Sequence, residues 1–407
     1  MPRSSLPPGG GPRTRISVTK PLLDRPWPVV AALVLVMLSV AARIIARNVE
    51  TSDLDFYVLR WMAKFQQLGV GAALGKDFYN YSPPYMYLLA LASMASRFIP
   101  PLIAVKLIST AFDVLAAFTV FRIVRLMPRR GNLAYLAAAL VFAAPTVVAN
   151  SGIWGQADST YTAFLLLCLY FMLVDRPLPA VLFYSIGFAF KPQAVFLAPL
   201  LLVLMLWRKI PWFYLLLVPG VYALAAWPAV ALGRTWMEVL TIYASRPLSG
   251  KALTHNAASF YAFVPRTALE LLAAPGVVIG ALLILVWVLY TSRHTRRVDR
   301  PAIVLLALIS AALTPFVLPN MHDRYFFPAD VLAIALAFSL PDMWFIAIFF
   351  QLISGLSYSI YLLSGPPDNL EGAAWINLFT LILLLRRQVL LQSPAAGSRT
   401  TAGSAPP

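Results

Sequence analysis

Long apolar runs recur along the whole of this 407-residue sequence, and they constrain its fold more than any other feature. Many of the runs are roughly 17 to 25 residues long, the length at which a helix crosses the hydrocarbon core of a bilayer. Hydrophobic residues make up 60% of the chain and charged residues only 12%, whereas a soluble domain is roughly a quarter charged. The mean hydropathy is +0.77. The sequence therefore predicts an all-α polytopic membrane protein.

The boundaries of the apolar runs predict about twelve membrane spans, with eleven to thirteen as the range. The predicted spans are 28–45, 102–121, 132–150, 159–174, 178–190, 193–207, 211–232, 269–291, 302–318, 325–340, 343–363 and 371–385. Residues 28–390 would form one transmembrane domain, flanked by a disordered segment at 1–27 and a disordered tail at 391–407, because both flanks are rich in small residues and proline. The late start of the first apolar run makes a poor signal peptide, so we expect it to be kept as an anchor.

A long polar segment, 47–101, follows the first span and is predicted to be the first outer loop. Apolar residues at 56, 59, 62 and 65 have helical spacing, and Trp61 adds an interfacial aromatic, which favours a helix on the membrane surface. The apolar stretch 83–98 is too short for an ordinary span. We interpret it as a re-entrant or interfacial helix, and this choice fixes the side of every later loop, including a second outer loop at 233–268.

The formal net charge of +16 could suggest a nucleic-acid-binding protein, but the basic residues stand in short clusters between apolar runs. This topology places most of them on the cytoplasmic side and leaves the outer segments nearly balanced, which is the positive-inside pattern. We therefore predict an inner-membrane protein with both termini in the cytoplasm and no nucleic-acid partner. The single cysteine, Cys168, lies in an apolar run and excludes an internal disulfide.

The polar motifs that look least like plain linkers all fall on the predicted outer face. They are the acids Asp53 and Asp55, the Asn-Tyr-Ser-Pro-Pro-Tyr run at 80–85, Trp-Gly-Gln-Ala-Asp at 154–158, Lys-Pro-Gln at 191–193, Thr-His-Asn at 254–256, and Asn-Met-His-Asp-Arg-Tyr at 320–325. Nucleotide sugars and ATP are not supplied on that face, whereas lipid-phosphate carriers are. A phosphodiester beside apolar spans needs cations, and Lys191, Arg324 and His322 are candidates. Transfer from such a carrier also needs a base for the acceptor hydroxyl.

These motifs, in this order, resemble the GT-C superfamily of multi-spanning glycosyltransferases that use polyprenyl-phosphate-linked sugars. The resemblance covers roughly residues 28–330 and rests on Asp53, on Trp61 eight residues later and on the Tyr-Ser-Pro-Pro-Tyr-Met-Tyr run at 81–87. The motifs at 154–158, 191–193 and 321–325 are similar to those of bacterial mannosyltransferase-like members. It implies transfer of a hexose, mannose-like, to a lipid-linked or cell-surface glycan acceptor, with inversion at the anomeric carbon. Asp53 would be the general base.

The predicted site residues fall into three groups. The catalytic residue is Asp53, the ligands of the donor phosphate are Lys191, His322 and Arg324, and the substrate-binding residues are Asp55, Asn80, Tyr81, Tyr85, Gln156, Asp158, Gln193, His255, Asn256 and Asp323. No cofactor is firmly predicted. Asp53 and Asp55 could hold a divalent cation, but only if the segment were extended, since on a helix the two carboxylates diverge.

Most of these residues have a structural alternative. Asp53 could merely flank a span, Asp158 could cap the fourth span, and Lys191 could extend to lipid headgroups. Asp323 and Arg324 could form a local ion pair. Trp154 fits the interfacial aromatic belt better than a sugar-stacking role.

Two other functions share the same features. A flippase or carrier of lipid-linked saccharides would need charged residues along a path at mid-membrane depth and helices broken in matching halves, and the sequence offers few of either. Asp113 and Asp330 lie within predicted spans, and we leave both outside the catalytic set. A surface-polysaccharide polymerase or ligase would use basic residues in a large later loop. The 233–268 loop contains four, Arg234, Arg246, Lys251 and Arg266.

Overall fold

The computed structural model describes residues 26–128, 131–242, 252–295, 299–366 and 368–392. The predicted disordered flanks, 1–27 and 391–407, lie almost entirely outside the described residues. So do Arg246 and Lys251 of the second predicted outer loop.

The described chain is almost entirely helical. The α-helices of the first half are α1 (Trp27–Ile45), α2 (Arg60–Leu68), α3 (Val70–Leu74), α4 (Pro83–Met94), α5 (Pro101–Arg125), α6 (Leu133–Ala143), α7 (Pro145–Val147), α8 (Asp158–Leu173) and α9 (Pro177–Phe190). Those of the second half are α10 (Ala198–Leu206), α11 (Leu217–Ala231), α12 (Trp236–Thr241), α13 (Leu269–His294), α14 (Arg300–Val317), α15 (Phe327–Ser339), α16 (Phe345–Leu362) and α17 (Asp368–Gln392).

Short irregular elements join these helices. Two π-helical turns are Leu54–Leu59 and Val148–Ile153. The 3₁₀ turns are Ala46–Asn48, Ala95–Arg97, Pro192–Leu197, Trp212–Leu216, Phe260–Phe263, Arg266–Ala268, Asp323–Phe326 and Pro341–Met343. Two-residue strands, β1 (Thr254–His255) and β2 (Met321–His322), pair in parallel with His255 opposite His322. This pairing joins two segments that the sequence analysis treated separately.

Seven helices in the described residues are long and apolar enough to cross a membrane, or eight if the bent pair formed by α6 and the segment 145–153 counts as one span. The all-α polytopic class is therefore confirmed, but the count of twelve is not. The other four predicted spans are helical but short, for example 14 residues in α9. At 1.5 Å per residue such a helix covers roughly 21 Å of a hydrocarbon core about 30 Å thick.

The core of the bundle is built around α14. Within its most apolar window, 78% of the residues are buried, and its side chains are hydrophobic on nearly every side. A helix that is apolar all round is stable when other helices enclose it. Here α15 packs on one side and α17 and α13 on others, while α5, α6, α8 and α9 form the neighbouring part of the bundle.

The first predicted outer loop has a small core of its own. Residues 54–68 are helical, as expected, but Trp61 is 5% exposed and packs 5.5 Å from the ring of Tyr81, so the interfacial role predicted for it is wrong. Its neighbours on the same helix face, Met62 and Phe65, are also buried. The short helix α4 packs against α2 and α5, which explains why most of its side chains are buried.

A buried ion pair links α1 to α5. The Arg43 guanidinium donates to Asp113 through Nη2 at 2.9 Å, and the Ser151 hydroxyl donates to the other carboxylate oxygen at 2.8 Å. Arg43 also donates to the Phe142 carbonyl oxygen at 3.1 Å. An intramembrane charge is tolerated where it is paired in this way. Asp113 thus stabilises the packing of the bundle beside the turn at 148–153.

Candidate active site

Asp53 is held by residues from distant parts of the chain. Its Oδ2 accepts hydrogen bonds from the indole Nε1 of Trp154 and the amide Nε2 of Gln156, each at 3.2 Å. The guanidinium of Arg324 approaches the same oxygen to 3.7 Å. The side chain of Asp53 keeps 30% of its surface exposed. The predicted base is therefore fixed in orientation but remains accessible to a ligand.

Tyr361 of α16 fixes the backbone at Asp53. Its hydroxyl accepts a hydrogen bond from the Asp53 N–H at 2.9 Å and lies 2.6 Å from the Ser52 hydroxyl. Its ring stacks on Trp154 with centroids 4.5 Å apart and an interplanar angle of 14°. Trp154 is only 1% exposed, so our assignment of this residue to the interfacial belt is wrong. It is a buried support for the candidate base.

Both π-helical turns adjoin this contact. One begins directly after Asp53, and the other ends directly before Trp154. Between Trp154 and Gln156 stands Gly155, with a φ of +69° and with Leu54 so close that an added Cβ would lie 3.0 Å from it. Only glycine adopts this backbone readily at such a close approach. Single π-turns are frequent at functional sites, and here they aim two hydrogen-bond donors at one carboxylate.

Lys191 and Asp158 form a buried ion pair next to Arg324. The Lys191 ammonium group donates to Oδ1 of Asp158, and the amide of Asn150 donates to Oδ2 at 3.2 Å. Asp158 does not cap α8, because Ala157 holds that position and no side chain caps the helix. Lys191 is 4% exposed, so it does not extend to headgroups. The break between α9 and the Pro192 turn instead directs this lysine inward.

Aromatic rings surround the Lys191 ammonium group. Its Nζ lies within 6 Å of three tyrosine ring centroids, at 5.8, 5.6 and 5.9 Å for Tyr81, Tyr161 and Tyr325 respectively. Ring faces attract a cation electrostatically, and this attraction grows when the group is desolvated. Burial disfavours the charged lysine, but Asp158 keeps the pKa of Lys191 above its ordinary range, and the rings add to this stabilisation.

Arg324 stands among three carboxylates. Its guanidinium nitrogens lie 3.7 Å from Asp53, 3.6 Å from Asp158 and 3.6 Å from Asp323. These separations are ion-pair contacts but are too long for hydrogen bonds, and Nε is buried without a hydrogen-bond partner among the described residues. Burial disfavours the charged form, yet Asp158 and Asp323 keep the pKa of Arg324 above its ordinary range. The guanidinium is therefore held among these carboxylates by charge and not by side-chain hydrogen bonds to them.

Asp323, like Asp158, is a buried acid of this cluster. Burial raises the pKa of its carboxyl to about 7, although Arg324 opposes the shift through charge and through its backbone N–H, which donates to Asp323 at 2.9 Å. The local Asp323–Arg324 ion pair that we weighed against a functional role is thus present. It does not exclude that role, since Arg324 contacts Asp53 and Asp158 as well.

The two histidines of the predicted site stack on one another. The rings of His255 and His322 are 4.5 Å apart at 13°, and Nε2 of His255 lies 2.8 Å from Oδ1 of Asn320. His322 also lies 5.2 Å from the ring of Tyr325. Asn256 contributes a backbone bridge to His322. The histidine pair is therefore adjacent to the Lys191 cage.

The remaining predicted residues divide into two groups. Tyr81 and Tyr85 contact each other with centroids 5.3 Å apart, and the amide of Gln193 donates to the Tyr325 hydroxyl at 2.8 Å, so these side chains border the Lys191 cage. Asp55 is exposed on the helical stretch after Asp53, and Asn80 is half-buried in the loop before Tyr81. The extended geometry that a shared metal would need at Asp53 and Asp55 is not present. Within the described residues, no cluster of three or more acidic, histidine or cysteine side chains could hold a metal ion.

Several residues at the centre of this arrangement were not predicted from the sequence. Tyr361 and Tyr358 of α16 and Asn150 of the second π-turn contact Trp154, Asp53 or Asp158. A signal was present in α16, where polar residues at 354, 357, 358 and 361 interrupt an apolar run at helical spacing. Polar groups on one helix face inside a membrane mark a buried function or a polar neighbour.

Comparison of the chain with models of known protein families and with curated protein sequences gave no match.

Proposed function

We propose that the protein is an integral membrane glycosyltransferase that moves a hexose, mannose-like, from a polyprenyl-phosphate donor to a lipid-linked or cell-surface glycan acceptor. The observation that carries the proposal is the position of Arg324. It lies within 3.7 Å of the accessible Asp53 and 3.6 Å of Asp158, which holds Lys191. A candidate base and two candidate phosphate ligands thus fall in one compact cluster, although they come from three distant parts of the chain.

The chemistry assigns a role to each of these groups. The acceptor hydroxyl gives its proton to Asp53 as its oxygen attacks the anomeric carbon of the donor. The bond between that carbon and the phosphate oxygen breaks, and the polyprenyl phosphate leaves with the electron pair and one more negative charge. Arg324 can present parallel N–H donors to phosphate oxygens, and Lys191 adds a point charge. Attack opposite the leaving group inverts the anomeric centre.

The surroundings of the cluster support a reaction that needs little water. Asp158 and Lys191 are nearly inaccessible, and low local polarity strengthens the attraction between the leaving phosphate and its cations. The stacked His255 and His322 adjoin the same cage and can donate to a phosphate or a sugar hydroxyl. Under this proposal the site faces outward from the cell's inner membrane, and both termini lie in the cytoplasm.

The experiment is transfer of labelled hexose from polyprenyl phosphate by purified full-length protein in lipid. We expect Asp53→Asn to lower the rate by about 10²- to 10⁴-fold, the range typical of a lost general base. Glu50→Gln is the matched control, because this acid stands three residues earlier and is exposed. Arg324→Lys keeps the charge but not the paired donors, and we expect a higher KM for the donor.

Two outcomes would contradict the proposal at different levels. Wild-type rates in Asp53→Asn would remove the base assignment while leaving the donor class intact. Absence of transfer from every polyprenyl-phosphate sugar, combined with movement of such lipids across vesicles, would favour the carrier. The polymerase or ligase alternative relies on free basic residues in the second outer loop, and Arg234 of that loop is instead buried in an ion pair with Asp77.

A further inference from the structure

A group of fully buried polar side chains lies behind the candidate active site, inside the helix bundle. We call it the core polar cluster: Asp330 of α15, Ser354, Ser357 and Tyr358 of α16, and Asn150 of the second π-turn. Each is at most 2% exposed. The proposed glycosyl transfer uses none of them, so their burial needs a separate explanation.

Helix geometry brings the cluster together. Ser354, Ser357 and Tyr358 are spaced three and four residues apart and so share one face of α16. That helix packs on α15, where Asp330 stands in the first turn, and the Ser354 hydroxyl donates to Oδ1 of Asp330 at 2.7 Å. Tyr358 lies edge-on to Trp154, with ring centroids 5.7 Å apart, and Asn150 donates to Asp158. The cluster therefore adjoins the cage around Lys191.

Four oxygen atoms of the cluster lack a hydrogen bond of ordinary geometry among the described residues, although Tyr358 is close enough to Asn150, and Asp330 to Thr146, for weak ones. The four oxygens are Oδ2 of Asp330, the hydroxyls of Ser357 and Tyr358, and Oδ1 of Asn150. Polar groups paired this poorly in hydrocarbon surroundings are unfavourable, so a group of four such oxygens on neighbouring elements indicates an occupant. No Lys, Arg or His side chain of the described chain forms an ion pair with Asp330.

The chemistry of these atoms defines the occupant. We propose that the core polar cluster binds a monovalent hard cation, with Na⁺ as the fitting size and charge. Hard cations take oxygen ligands from carboxylates, amides and hydroxyls, and the cluster offers all three. One carboxylate balances one positive charge, whereas a divalent ion would leave a net charge buried. Water alone would satisfy the hydrogen bonds but would leave the Asp330 carboxylate without a counter-ion.

The site does not depend on the proposed function. Because Asn150 and Tyr358 also contact Asp158 and Trp154, a bound cation would fix the back wall of the candidate active site. The effect would be a more stable folded state in sodium salts than in salts of a cation too large to enter.

The test is thermal unfolding of the purified full-length protein in detergent, at constant ionic strength, with NaCl titrated against choline chloride. We expect Na⁺ to raise the unfolding midpoint saturably by about 2 to 6 °C, as a ligand does when it binds only the folded state. Asp330→Asn should abolish the shift. Ser357→Ala keeps the carboxylate and should raise the Na⁺ concentration at half-effect several-fold, which keeps the test available if Asp330→Asn does not fold.

Asp113→Asn is the matched control, because Asp113 is an equally buried intramembrane acid whose partner is Arg43. This variant is expected to unfold at a lower temperature yet to keep the full Na⁺ shift. The proposal is overturned if the wild-type midpoint is the same in both salts, or if the shift persists in Asp330→Asn. A midpoint that responds to pH between 5 and 8 but not to Na⁺ would mean that Asp330 carries a proton instead, and would overturn it equally.

Discussion

Because Lys191 and Arg324 share the carboxylate of Asp158, we predict that removing the lysine and removing the carboxylate change stability by different amounts. Asp158 is fully buried between two cations, Lys191 at hydrogen-bond distance and Arg324 at 3.6 Å. Removing the carboxylate leaves two buried positive charges with one partner fewer. Removing Lys191 leaves Asp158 paired with Arg324 and with the Asn150 amide. The two single variants therefore should not cost the same free energy of unfolding, although they break the same ion pair.

The magnitude follows from the separations. Two unit charges 3.6 Å apart attract by about 4–5 kcal/mol at an effective dielectric constant of 20, and Lys191→Met retains this attraction between Asp158 and Arg324. We expect Lys191→Met to lower the free energy of unfolding by about 1–2 kcal/mol. Asp158→Asn should lower it by about 3–5 kcal/mol, the range found when one partner of a buried pair is deleted. The double variant should cost less than Asp158→Asn alone, because it no longer buries an unpaired ammonium group.

The assay is denaturation of wild type and variants by SDS in mixed micelles, followed by circular dichroism. Asp175→Asn provides the control, since Asp175 and Lys209 form the same kind of pair at 3.6 Å with side chains 80% and 39% exposed. Such a pair contributes at most about 1 kcal/mol, and asparagine accepts the positive φ of 55° at this position. The reasoning is refuted if Asp158→Asn costs no more than Asp175→Asn, or if Lys191→Met costs more than Asp158→Asn.

Two further predictions concern the same region. Burial raises the pKa of Asp323 from 3.8 to about 7, so its stabilising contribution is complete below pH 4 and is lost as the pH rises to 7. The thermal midpoint of Asp323→Asn should therefore rise relative to that of wild type between pH 4 and 7, and the difference should stay constant above pH 7. A difference that is the same at every pH would contradict the shift. Gly155→Ala should destabilise the fold by about 1–2 kcal/mol and slow hexose transfer, because its Cβ would press on Leu54 beside the base. Gly220→Ala, with no atom within 4 Å, should be neutral or slightly stabilising, and equal effects at both glycines would disprove the steric account.

Hydropathy was sufficient to predict the class and the helical segments. Hydropathy could not give the number of spans, because an apolar helix that is buried by its neighbours has the same hydropathy as one that faces lipid. The segment at α9 shows this: its 14 residues are as apolar as a span, but Lys191 and Pro192 end it inside the bundle.

The candidate site was predictable only in part, for a physical reason. Charged residues that interrupt apolar runs are conspicuous, so Asp53, Lys191 and Arg324 could be found from their spacing. Tyr361 and Trp154 are amphipathic residues that the membrane interface also favours, and only the three-dimensional structure distinguishes a belt residue from a buried support. Their partners are set by contacts between α16 and the second π-turn, which no local pattern encodes.

The small parallel pair of β1 and β2 has a consequence for how such sequences can diverge. The Asn320 N–H donates to the Leu253 carbonyl at 2.6 Å, and both Asn256 and Asn320 adopt a positive φ at the ends of the pair. An insertion or deletion in either strand would displace His255 relative to His322 and change the direction in which the turn presents the Arg324 side chain. We therefore expect changes of length in these two segments to occur together across natural variants, while the loops outside them vary independently.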